Sequence, residues 1–113
     1  MIKQNENSKP DIERLLALCK KTVLSVVPDA TVILYGSRAR GDARPDSDLD
    51  LLVLVNGKVD YKLVQKIRYS LFDVELQENI IVSCIVRDQK TWQSRKYQVL
   101  PLKQAIDKEG IVL

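Results

Sequence analysis

Gly36 and Ser37 are followed, after ten intervening residues, by Asp48 and Asp50, which stand one residue apart. Gly36 lets backbone approach a ligand closely and tolerates a positive φ. Ser37 adds a hydroxyl and an amide at what reads as a helix start, a natural seat for phosphate. In an extended segment Asp48 and Asp50 project to the same side. At a separation of roughly 4–5 Å and an effective dielectric near 20, their repulsion is about 3–4 kcal/mol. A divalent cation turns that cost into attraction, and Mg²⁺ favours one or two carboxylates plus phosphate oxygens. A phosphate seat beside a metal-holding carboxylate pair is the apparatus that nucleotidyl transfer needs. Arg38, Arg40 and Arg44 lie in the same stretch and are placed to neutralise a leaving pyrophosphate. Singly, these pieces read as a turn, a loop edge and surface charge; together, at this spacing, they read as a site.

The elements that must hold these residues follow from pattern. Residues 1–9 are polar and read as a flexible leader, with a single domain over 10–113. Ser8 and Pro10 supply a helix start. Ile12, Leu15, Leu16, Cys19, Val23, Val26 and Val27 then form one helical face that Pro28-Asp29 ends. Thr31 to Tyr35 is β-branched and predicts a strand that Gly36 breaks. The polar segment from Ser37 to Ser47 has room for a short helix and a loop. Leu49 to Val55 is almost continuously apolar, as befits a central strand covered on both faces. After the Asn56-Gly57 turn, Asp60 caps a second helix with Val64, Ile67, Leu71 and Val74 on its inner face. Ile80 to Val86 predicts a third strand. Asp88 is placed to cap a short helix through Trp92 toward Lys96, and Pro101 to Lys108 predicts a last helix stopped by Gly110. The apolar tail Ile111 to Leu113 follows. The order implies an α/β (α+β) fold, a small mixed β-sheet flanked by helices.

Composition narrows the chemistry. The 113 residues suit one compact domain. With 45% hydrophobic and 29% charged residues, the chain is that of an ordinary globular protein. Lys and Arg exceed Asp and Glu by 18 to 15, a net charge of +3, which is too small an excess for bulk nucleic-acid binding. Histidine is absent, which removes a Ser-His-Asp triad, a His-ligated zinc and a His base. A metal must therefore be held by carboxylates, which favours Mg²⁺ or Mn²⁺. Cys19 and Cys84 lie in apolar contexts and read as buried thiols in a reducing compartment. The N-terminus has no apolar signal core and the longest apolar run is too short to span a bilayer, so a cytoplasmic protein with no membrane partner is expected.

The string GSRARGDARPDSDLDLLV resembles the signature GSxARGxxxxxSDxDLxV of the minimal nucleotidyltransferase family, the smallest branch of the DNA polymerase β-like superfamily. The resemblance covers about 20 of the 113 residues and joins residue types to a fixed spacer. It implies a nucleotidyltransferase-like fold and transfer of an NMP, AMP from ATP or the equivalent from another nucleoside triphosphate, to a protein or small-molecule acceptor. By the same carry-over Gly36, Ser37, Arg38 and Arg40 bind nucleotide, Arg38 standing at a variable position of the pattern. Asp48 and Asp50 are the catalytic metal ligands for Mg²⁺ or Mn²⁺. The family is commonly encoded beside a helical HEPN-domain partner in toxin–antitoxin pairs, which implies such a protein partner, with Trp92 and the tail as interface or as sheet cover.

The superfamily's full site also has a third carboxylate on a later strand, and Ile80 to Val86 holds no acid. Glu75, Glu78 and Asp88 flank it, Asn79 and Ser83 are the nearest polar residues, and Glu78 is the best substitute by position. Loss of a general base costs about 10²- to 10⁴-fold in rate. The alternative expectation is therefore a degenerate protein that binds nucleotide or caps a partner without turnover.

Overall fold

A computed structural model describes residues 11–113. The expected leader and the Ser8-Pro10 helix start lie outside the described residues. The first described helix, α1 (Ile12–Val26), is capped instead by the Asp11 carboxylate, which accepts the Arg14 amide. Strand β1 (Thr31–Tyr35) leads through Gly36 into a single turn of helix, α2 (Ser37–Arg40), and a loop to β2 (Leu49–Val55). Helix α3 (Tyr61–Glu78) starts at Asp60, whose side chain accepts the Leu63 amide.

Asn79 ends α3 in the left-handed conformation, φ 54°, a role for which Asn is second only to glycine. The chain needs two further residues to come alongside β2, so β3 spans Val82–Asp88 rather than Ile80 to Val86. Register explains the shift: Leu49 pairs with Val82, and the Leu49 amide donates to the Ile81 carbonyl. Asp88 closes β3 and caps α4 (Gln89–Trp92) by accepting the Lys90 amide. The single helix expected toward Lys96 is split, because Ser94 begins a separate turn, α5 (Arg95–Gln98). Helix α6 (Pro101–Glu109) begins with proline, which is suited to the first helical turn.

The sheet order is β3-β2-β1-β4, with β2 parallel to β3 and the other pairs antiparallel. Strand β4 (Ile111–Val112) was expected only as an apolar tail; two residues carry no alternation to read, and pairing with Ile33 and Leu34 makes them a strand. Period-two alternation divides the sheet between two cores. Leu49, Leu51, Val53 and Val55 join Val32, Leu34, Cys84 and Val86 against α1 and α3. Leu52 and Leu54 meet Trp92 and Ile106 on the opposite face. Trp92 is therefore sheet cover. Lys103, 2% exposed, lies over the Trp92 ring at 5.6 Å and donates to Asp107 at 2.6 Å. Helices α4 to α6 shield the far half of that face, and its near half, where β2 begins, carries Asp50.

Candidate active site

Three ends converge where β1 stops and β2 and β3 start. Tyr35 pairs with Asp50 on one side, and Asp50 pairs with Ser83 on the other. Gly36 turns the chain away from β1 with φ 78° and ψ −159°, a region essentially reserved for glycine. A Cβ built on Gly36 would lie 2.2 Å from Asp50 Oδ2, so the missing side chain is the space that the carboxylate fills. The Gly36 carbonyl accepts the Ala39 and Arg40 amides, and Gly41, φ 84°, closes α2 by donating to the Ser37 carbonyl. Ser37 thus opens a tight turn whose first amides have no partner within the helix.

The loop into β2 is knit together by Arg38. Its guanidinium donates to the Ser47 carbonyl at 2.8 and 3.3 Å and to the Pro45 carbonyl at 3.2 Å. The Arg44 amide donates to Ser47 Oγ at 2.8 Å, and the Ser47 amide returns to the Arg44 carbonyl. Asp48 leaves this fastened loop exposed to solvent, and Asp50 follows half-buried. Burial raises the Asp50 carboxyl above its ordinary range, the charge of Asp48 raises it further, and Arg40 opposes both. The carboxylates therefore feel one another.

Arg40 donates to Asp42 at 3.2 Å and to Glu109 at 3.1 Å, which ties α2 to the end of α6. Glu109 has no signal in the sequence: it lies 69 residues from Arg40 and belongs to no pattern with it. Tyr35 is the other neighbour missed by pattern, its phenol raised by burial and then by Asp50.

The acids that flank β3 are committed elsewhere. Glu78 is ion-paired with Arg14 across α1 and α3, which holds its carboxyl below the usual range. Glu75 accepts the Val82 amide at 2.7 Å, and Asp88 caps α4. Ser83 occupies the position facing Asp50, and among the described residues no three acids, cysteines or histidines gather as a metal cluster. Asp48, in the loop just before β2 rather than on the strand, and Asp50 nevertheless fit a hard divalent ion: both offer oxygen, and their mutual repulsion is relieved by a cation. The arrangement can hold a metal and a phosphate chain side by side.

Residues 14–106 match the family model for the nucleotidyltransferase domain. A Methanocaldococcus jannaschii protein, provisionally named a protein adenylyltransferase, is 35% identical over 78 residues, covering 67% of this chain and 79% of that protein. MntA of Haemophilus influenzae, given the same provisional name, is 33% identical over 61 residues, about half of each chain at 54%. A solved toxin–antitoxin structure with AMP-PNP covers 96% of this chain and 72% of its own, with a TM-score of 0.51 at 21% identity, a likeness of fold.

Proposed function

This chain belongs to the nucleotidyltransferase-domain family, and from that premise we propose that it moves AMP from ATP to a hydroxyl of a protein acceptor with the help of Mg²⁺ or Mn²⁺. The observation that supports this reading is the Asp50 carboxylate at the start of β2 filling the space beside Gly36, with Asp48 in the loop just before β2 near enough for its charge to raise the Asp50 carboxyl. In this reading Gly36 and Ser37 seat the terminal phosphates, and Asp48 and Asp50 hold the metal. Arg40 balances charge beside Asp50. Arg38 acts chiefly by fastening the loop that presents Asp48, and its outward edge is available to phosphate. A bound divalent ion supplies charge neutralisation at the α-phosphate and eases deprotonation of the acceptor. The acceptor oxygen attacks the α-phosphorus, the bond to the bridging oxygen breaks, pyrophosphate leaves, and the acceptor's proton passes to water. The names of the two relatives favour protein over small-molecule acceptors. The motif resemblance extends the reading to a cytoplasmic antitoxin with a HEPN-domain partner. No helix among the described residues is long and apolar enough to cross a membrane.

Nucleotide binding without turnover is favoured by one specific observation, the commitment of Glu75, Glu78 and Asp88 to other bonds. Incubation with α-labelled ATP, Mg²⁺ and candidate acceptors separates the two. Label on an acceptor, lost in Asp48→Ala/Asp50→Ala, is the expected result. Absence of label together with a Tm raised by Mg²⁺-ATP would establish binding alone, and absence of both effects would overturn the nucleotide reading.

A further inference from the structure

Helix α3 buries Ile67, Leu71 and Val74 against the sheet and turns a second apolar stripe outward. Tyr69 is 70% exposed, Phe72 50% and Leu76 67%, at spacings of three and four that keep them on one side. Clefts of about 470 and 420 Å³ border this stripe and meet at Phe72 and Glu75. The charges are also ordered. Lys62, Lys66 and Arg68 occupy the N-terminal half, and Asp73, Glu75 and Glu78 the C-terminal half. This order opposes the helix dipole, which favours anions at the N-terminus and cations at the C-terminus. Arg14 neutralises Glu78, Glu75 and Arg68 bond to the β3 backbone, and the exposed Lys66 and Asp73 form no ion pair among the described residues.

We propose that α3 is the interface of a homodimer, two copies packing antiparallel about a twofold axis near Ser70 and Leu71. At 100° per residue, Lys66 and Asp73 lie on one flank of the stripe and Arg68 and Glu75 on the other. A twofold axis sets each flank against its own symmetry mate. Lys66 then faces Asp73 of the second copy, twice across the axis, and Tyr69 packs on Phe72, with the clefts beside the stripe receiving the rings, while Arg68 and Glu75 keep their bonds to β3 on the other flank. Parallel packing would set the Lys66 end of one flank against Arg68 and the Asp73 end against Glu75, like charge against like, so the charges select the antiparallel arrangement. One operator satisfies both the apolar seam and the ion pairs, which is the mark of a self-complementary surface rather than of an unrelated partner. Sheet extension through β3 is the less favourable route to a dimer. Glu75 already takes the Val82 amide and Arg68 donates to the Cys84 carbonyl, which blunts that edge.

Sedimentation equilibrium of the full chain tests this. Dimers at micromolar concentration are expected, weakened about tenfold or more by Lys66→Glu, because each charge reversal acts twice across the axis. Lys66→Glu/Asp73→Lys should restore the wild-type constant. Circular dichroism verifies that these exposed substitutions leave the fold intact, and Phe72→Glu provides a second disruption. A wild-type monomer throughout, a dimer indifferent to Lys66→Glu, or a charge swap no tighter than the single variant would each overturn the proposal.

Discussion

Gly36 and Asp50 share one small volume, and that sharing makes a sharp experiment possible. Alanine at Gly36 puts a methyl group into the Asp50 carboxylate and forces an L-residue into a glycine conformation. The backbone part alone should cost about 1–3 kcal/mol. Thermal unfolding of Gly36→Ala should show that loss, and metal-dependent label transfer should fall at least about tenfold as the carboxylate is displaced. The two causes separate in the Asp50→Ala background, where the clash is relieved and Gly36→Ala should cost only its backbone share. Equal costs in both backgrounds would mean that the two residues do not press on one another.

Among the elements, α6 and β4 reach furthest from their place in the chain. Pairing of β4 with β1 brings the end of α6 over α2, and Glu109 meets Arg40 there. Gly110 makes the passage possible, since a Cβ would fall 2.6 Å from the Ile106 carbonyl oxygen and 2.9 Å from Ile33. In the proposed reaction Glu109 would position Arg40, with which it is ion-paired. The pair is partly exposed, so Glu109→Gln should change stability by less than about 1 kcal/mol. The KM for Mg²⁺-ATP should rise several-fold with a smaller change in kcat, and Glu109→Asp should recover part of the loss. A large fall in Tm with an unchanged KM would assign Glu109 a purely architectural role. Three of the four strands and the long helices are legible because each spans enough residues to show a period. The two-residue β4 and the split between α4 and α5 are not, since neither holds a full repeat.

At the scale of the whole molecule, α1 and α3 cover one face of the sheet and are tied across their ends by Arg14 and Glu78. The hydrogen bond from Arg14 holds the Glu78 carboxyl below its ordinary value. A depressed acid contributes stability above its unfolded-state value and loses it as pH falls through the folded-state value. Wild type should therefore exceed Glu78→Gln in Tm at neutral pH, and the gap should close on acidification below about pH 4, near the unperturbed carboxylate range. A gap that persists unchanged at pH 3 would show that the charge is not its source.

The order of strand, glycine turn, polar loop and apolar strand around Gly36, Ser37, Asp48 and Asp50 was determined by the sequence itself, and Asp50 sits on the expected strand while Asp48 stays in the loop before it. Local rules suffice there: glycine alone accepts the turn, and a nearly continuous apolar run makes a central strand. Tertiary structure decided what surrounds them. It turned Arg38 back onto the loop, joined Arg40 to Glu109, set Ser83 rather than an acid beside Asp50, and sent Glu78 to Arg14. Each of those outcomes depends on strand register or on helices from distant parts of the chain coming together. Such partners are chosen by packing of the whole fold, and no local pattern encodes them.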